Sequence, residues 1–212
     1  MSWTPRILVD RSAGAVDEEM GMTRMGDGGT PGSQDPTRVR ITRFAERMTG
    51  TTQHGGIPFD MPWQSEIVPG LWQGGVEDGM PLPANVAHVV SLYRWESYRD
   101  HPGVRSRLTL TMLDSTSLED LDGAAIYRAA EWVNAWRRGL GPGEAVLVHC
   151  QAGLNRSGVV TALALMLNGD VSSADEAVDL LRARRSDAVL CNPLFVGWLR
   201  SQESAVRRRL AA

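Results

Sequence analysis

The chain has 212 residues, 42% of them hydrophobic, and a formal net charge of −3, which is room for one packed domain with sequence to spare and no bulk signature of a polyanion binder. Its two cysteines, Cys150 and Cys191, exclude a disulfide framework or a cysteine-built metal cluster. No basic segment leads into a signal-type apolar run, and the longest apolar stretch, "VVTALALML" (159–167), is far short of a bilayer span; a reducing cytoplasm and no membrane are the expectation, and nothing in the composition supports a nucleic-acid partner.

Residues 11–60 are rich in Gly, Met, Thr, Asp and Arg, with "GDGGTPGSQDP" (26–36) at their centre. They hold too few periodic apolar residues to offset the entropy of ordering them. Residues 1–60 are therefore expected to be a disordered or loosely docked leader, in which "VRITRFAERM" (39–48) makes at most a short helix or a docking strand. A packed domain, 61–212, should begin near Pro62. "SEIVPGLWQGG" (65–75) reads as a strand and turn, and "ANVAHVVSLY" (84–93) and "RLTLTML" (107–113) as strands bounded by Gly and Pro. In 117–139, Leu121, Ala125, Tyr127, Ala129, Trp132, Val133 and Trp136 recur at helical spacing, with Ser117 or Asp122 as N-cap and Gly139 as stop. "EAVLVHC" (144–150) is a continuous apolar strand of the kind buried on both faces, and 156–168 reads as a buried helix. Two more helices are predicted near 173–185 and 193–210, and no internal repeat is present.

This alternation predicts an α/β fold: a single domain with a central, partly parallel sheet flanked by helices, and a phosphate-binding loop between a strand and a helix. Cys150 lies at the carboxyl end of its strand, where such sheets bind ligands. The helix after it opens with unpaired N–H groups. Gly153 lets the loop backbone curl at little cost, and Arg156 offers a planar fork matched to two phosphoryl oxygens. The Cys-x5-Arg spacing alone is weak in a chain with 22 arginines and no lysine. It gains specificity from His149 before the cysteine, Gly153 within the loop, Ser157 after the arginine and the strand–loop–helix setting. Cys191, in "AVLCNPLF", has no such context and reads as a buried small hydrophobe.

"HCQAGLNRSG" (149–158) resembles the signature loop of the cysteine-dependent protein tyrosine phosphatase superfamily, in particular its dual-specificity branch. "IVPGLWQGG" (67–75) is similar to that branch's opening strand, and "LLRARRSDAVLCNPLFVGWL" (180–199) to its closing helices. The resemblance covers about residues 62–205; the leader has no counterpart. The low-molecular-weight phosphatases carry the loop near the N-terminus with the acid after it, the reverse of the order here. Too few residues precede the loop for a receptor-type domain, and no "KNRY" segment is present.

Elementary chemistry assigns the roles. Loop amides, a helix N-terminus and Arg156 all favour an anion, so Cys150 should be a thiolate and the nucleophile. Arg156 and the amides would bind the equatorial oxygens, and Ser157 would donate to the sulfur and help it leave. His149, Gln151, Ala152, Gly153, Leu154 and Asn155 would surround the phosphate, with His149 orienting the loop rather than acting as base. The leaving oxygen needs a proton from another segment. Asp114, Glu119, Asp120 and Asp122 are the candidates. Asp114 follows the strand "RLTLTML", and the family places its acid at this kind of position; Asp120 is the main rival, and Asp120 and Asp122 fit better as helix caps or flanks. His54, His88 and His101 show no ligand spacing. Neither metal nor cofactor is required.

The variable loop positions Gln151, Ala152, Leu154 and Asn155 are uncharged, whereas inositol-lipid phosphatases of the superfamily tend to carry lysines there. The expected substrate is a protein phosphorylated on Tyr or Ser/Thr. Asn155 before the arginine also resembles RNA 5′-triphosphatase members, which makes an RNA or nucleotide 5′-phosphatase the enzymatic alternative. A phospho-binding pseudophosphatase would normally lack the Cys, Arg or acid, and none is lacking. A rhodanese-type sulfur transferase has no use for Asp114. Oligomeric state is left open.

Overall fold

The computed structural model describes the backbone of residues 40–44, 47–51 and 58–61, and both backbone and side chains of 62–76, 79–93 and 102–211. Residues 1–39, the larger part of the expected leader, lie outside the described residues, as do His54 and His101. Three short strands, β1 (Arg40–Phe44), β2 (Arg47–Thr51) and β3 (Pro58–Met61), pair antiparallel in that order. The segment 39–48, open to helix or strand in the sequence, thus supplies β1 and the start of β2.

The main sheet has five strands in the order β4-β5-β8-β6-β7. The strand and turn expected at 65–75 is an antiparallel hairpin of β4 (Gln64–Val68) and β5 (Leu71–Gly75), turned at Gly70 with φ +76. β6 (Val86–Ser91), β7 (Ser106–Thr109) and β8 (Ala145–Cys150) follow, and every pairing other than β4–β5 is parallel. β8 is the middle strand and is buried along its whole length, as its unbroken apolar run demands. The sheet is mixed, the helices flank it, and the fold is the single α/β domain expected.

The predicted helix at 117–139 divides in two because both candidate caps are used. Ser117 Oγ accepts from Glu119 N at 3.3 Å and caps a 3-10 turn, Leu118–Asp120. Asp122 Oδ1 accepts from Ala125 N at 2.8 Å and starts α1 (Gly123–Arg137). With Ala125 N committed to the cap, it does not extend a ladder back to Leu121. α2 (Arg156–Asn168) is buried from Arg156 through Met166 and ends at Gly169, left-handed at φ 75. α3 (Ala174–Arg184) is capped by Ser173 and α4 (Pro193–Leu210) by Asn192. α2 packs on β8 and β5 and against α1, α3 and α4, so one core surrounds the helix that follows Cys150.

Leu163, fully buried in α2, has no route for its surroundings to collapse without moving several elements. Leu163→Ala is expected to cost about 2–5 kcal/mol of stability, measured by urea unfolding; a cost under about 1 kcal/mol would mean that this packing is loose.

Candidate active site

β8 delivers Cys150 to the carboxyl end of the middle strand, residues 151–155 form a loop, and α2 begins at Arg156. Within this turn the Gly153 N–H donates to Cys150 Sγ at 3.3 Å, and Ser157 Oγ lies 3.5 Å from the same sulfur. Ala152, Gly153, Leu154, Asn155, Arg156 and Ser157 are buried, and Gln151 is half-exposed. His149 is buried, with its Nδ1 3.4 Å from Cys150 O, and its own carbonyl accepts from Leu92 N at 2.9 Å. Asn155 is the N-cap residue of α2 yet makes no capping bond through its side chain. Its Oδ1 instead accepts from Asn192 N at 3.1 Å and Cys191 Sγ at 3.5 Å, so the first turn of α2 is not covered by its own cap. An N–H aimed at the sulfur, an uncapped helix start and an arginine at the first helical position suit a tetrahedral oxyanion.

The loop is held from its carbonyl side. Arg185, just past α3, donates through Nε to Gly153 O at 2.8 Å and through Nη2 to Ala152 O at 3.2 Å. Its Nη1 reaches Pro62 O (3.2 Å), Ser65 Oγ (3.2 Å) and Gln73 O (3.3 Å). Gln73 Nε2 adds a second donor to Gly153 O at 2.9 Å. Burial pulls the Arg185 guanidinium down to about 10, while the nearby Cys150 works against that shift. Sequence reasoning missed both residues. Arg185 is one of three arginines in "RARR" at the end of the preceding helix, where it reads as an ordinary helix-end cation, and Gln73 is one polar position in a short strand.

Asp114 lies on the segment after β7, half-buried, where its Oδ1 accepts from Asn192 Nδ2 at 3.0 Å. Asn192 Nδ2 also donates to Ser115 O at 2.8 Å. Arg156 Nη1 donates to Met112 O at 3.4 Å, and its guanidinium carbon stands 5.8 Å from the Tyr93 ring centroid. Two ties therefore bring the Asp114 segment to the loop, one through Arg156 and one through Asn192. Asp120 is exposed and accepts from Ser115 Oγ at 2.6 Å, Asp122 caps α1, and Glu119 is exposed in the 3-10 turn. His88 stacks on Trp136 at 5.0 Å beside the Arg105–Glu144 ion pair, and burial, then Arg105, lower its pKa. Burial, and secondarily Asp114, push the Cys191 thiol up against the opposing hydrogen bond to Asn155. No group of three or more His, Cys, Asp or Glu able to hold a metal ion occurs among the described residues, and no helix among them is long and apolar enough to cross a membrane.

Residues 84–205 match the model of the dual specificity phosphatase catalytic domain. Among solved structures, human DUSP28 is similar at 23% identity with a TM-score of 0.56, covering 69% of this chain and 96% of its own. Human tyrosine phosphatase-like serine/threonine/tyrosine-interacting protein is similar at 20% identity with a TM-score of 0.56, covering 67% and 96%. PTPMT1 in complex with PI(5)P is similar at 19% identity with a TM-score of 0.53, covering 70% and 99%. These likenesses bear on the fold. No curated protein sequence matches the chain.

Gly153 adopts φ +71, and a Cβ there would overlap the backbone of Gly74 and Gly75. Gly153→Ala is expected to destabilise the protein by about 2–4 kcal/mol through strain and overlap together and to weaken tungstate binding. Urea unfolding and calorimetry check both, and near-parental values in each would contradict the close approach.

Proposed function

The chain belongs to the dual specificity phosphatase family, and from that premise we propose that it hydrolyses phosphomonoesters of proteins phosphorylated on Tyr or Ser/Thr through a phosphocysteine intermediate. The observation that carries the reading is the placement of Cys150 Sγ under the Gly153 N–H and beside Ser157 Oγ at the start of α2. In the first step the sulfur attacks phosphorus in line; the S–P bond forms, the ester P–O bond breaks, and Asp114 gives its proton to the leaving oxygen. Arg156 and the loop amides hold the equatorial oxygens as charge redistributes over them. In the second step Asp114 takes a proton from water, the water oxygen attacks phosphorus, and the S–P bond breaks with Ser157 donating to the departing sulfur. No step calls on a metal. A thiol nucleophile works only when reduced, which makes the cytoplasm the proposed setting, with residues 61–212 as the catalytic unit and 1–60 as a leader.

The uncharged side chains of Gln151, Ala152, Leu154 and Asn155 suit a singly phosphorylated group. One structural neighbour is bound to PI(5)P, but the loop here offers no cation besides Arg156 for a second phosphate. Asn155, the residue behind the RNA or nucleotide alternative, is buried with its Oδ1 engaged by Asn192 and Cys191. That engagement favours a structural role for Asn155 and supports the protein reading over RNA.

Turnover of p-nitrophenyl phosphate should proceed in EDTA, and release of phosphate from phosphotyrosyl and phosphoseryl peptides should exceed release from 5′-triphosphorylated RNA; the reverse order would replace the protein reading by the RNA one. Cys150→Ser should abolish turnover and keep tungstate binding, because Arg156 and the amides remain; retention of more than roughly a few per cent of activity would be incompatible with a thiolate nucleophile.

Asp114→Asn should cost roughly 10²–10⁴-fold with phosphoserine, whose alkoxide leaves badly, and much less with p-nitrophenyl phosphate. It should also remove the basic limb of the kcat–pH profile. If Asp120→Asn shows both effects and Asp114→Asn neither, the acid is Asp120.

A further inference from the structure

An oxyanion loop has to solve a problem of orientation before it can bind anything. In a trans peptide the N–H and C=O point in opposite directions, so each amide turned toward the sulfur sends a carbonyl away from it, into protein where it needs a donor. The peptide between Ala152 and Gly153 shows both halves of this. Its N–H donates to Cys150 Sγ at 3.3 Å and its carbonyl accepts from Arg185 Nη2 at 3.2 Å. The next carbonyl, Gly153 O, is gripped twice, by Arg185 Nε at 2.8 Å and by Gln73 Nε2 at 2.9 Å, which turns the Leu154 N–H the other way. A planar fork can serve several fixed carbonyls at once, and a single ammonium serves them poorly.

The charge on that fork is also unusual. Arg185 is only 7% exposed, and its hydrogen-bond partners are four backbone carbonyls and the Ser65 hydroxyl, all neutral. A buried cation without a carboxylate is costly to hold. Cys150 lies near enough that a negative charge on its sulfur would stabilise this cation.

We propose that Arg185 is the positioning residue of the oxyanion loop: it pins the Ala152 and Gly153 carbonyls so that the Gly153 and Leu154 amides face the Cys150 sulfur, and it supplies from behind the loop a positive charge answered by that sulfur as an anion or by a bound phosphoryl group. Arg185 touches neither substrate nor the reacting atoms. Gln73 is its helper, carrying one of the two donors to Gly153 O without charge. The assignment rests on the phosphatase reading of the Cys150 loop.

Arg185→Met, Arg185→Lys and Gln73→Leu in the full chain test it, each with two readouts that do not depend on turnover: the rate of carboxymethylation at Cys150 by iodoacetate at pH 6, followed by peptide mass spectrometry, and tungstate affinity by calorimetry. Arg185→Met is expected to slow carboxymethylation and weaken tungstate binding by roughly tenfold or more each, the scale of losing hydrogen bonds to a charged group. Arg185→Lys, which keeps the charge and loses the fork, should restore most of the carboxymethylation rate and little of the tungstate affinity. Gln73→Leu should weaken tungstate by roughly threefold to tenfold with carboxymethylation unchanged.

A cooperatively melting Arg185→Met within about twofold of the parent in both readouts overturns the proposal. If Arg185→Met does not fold, the other two variants decide: tungstate affinities within about twofold of the parent in both overturn it just as firmly. Phosphate release by the parent is measured alongside, so an inactive parent counts against the phosphatase reading, while the two comparisons still decide Arg185.

Discussion

Amides that face inward leave carbonyls that face outward, and the architecture around Cys150 is organised by that constraint. The loop carbonyls cannot be left to water, because the loop is buried, so donors have to come from the protein. They come from two places far apart in the chain, Gln73 in β5 and Arg185 after α3. Arg185 in turn needs acceptors for its remaining N–H groups, and finds them at Pro62, Ser65 and Gln73. The hairpin β4–β5 is thereby fastened to the loop as well as to the sheet. Gly153 completes the picture, since a Cβ there would overlap the backbone of Gly74 and Gly75, so the loop lies directly against the end of β5.

A second frame holds the acidic segment. Asn192 caps α4 by accepting from Leu194 N at 3.0 Å, and uses its amide donors on Asp114 and Ser115. Its backbone N–H meets Asn155 in the loop. One buried residue thus links the start of a helix, the carboxylate candidate and the Cys150 loop, while the Met112 carbonyl meets Arg156 from the other end of the same segment. Leu113 and Leu118, by contrast, are exposed at 60% and 64%: the segment is fixed by its polar contacts and by Met112 against the core, and leaves these two leucines outside.

The α/β fold was legible because its signals are local. β8 announces itself as an unbroken apolar run, and α2 as a buried helix directly behind it. The strand "RLTLTML" proved shorter than its pattern, since a strand lasts only while a partner runs beside it: its partner β6 ends at Ser91, whose carbonyl still accepts from Leu110 N. The helix at 117–139 divided because both capping side chains are used, Ser117 on Glu119 N and Asp122 on Ala125 N. Within the site, Cys150, Arg156 and Ser157 stood out by spacing along one loop, whereas Arg185, Gln73 and Asn192 did not. Their contacts are long-range, and nothing in a helix-end arginine, a strand glutamine or an asparagine before proline distinguishes one that reaches another segment from one that faces solvent.

The span of the Arg185 contacts also governs when the loop can be completed during synthesis. The guanidinium ties together Pro62, Ser65, Gln73, Ala152 and Gly153, with its most distant partner 123 residues earlier in the chain. Contacts of such separation close late, after the loop-closure entropy of the intervening chain has been met. A nascent chain ending before α3 can pair β5, β6 and β8 but has no donor fork for the loop carbonyls. The Cys150 sulfur is therefore set among these contacts only once residue 185 has emerged, so a translation product truncated before α3 carries the cysteine without the guanidinium that holds its loop.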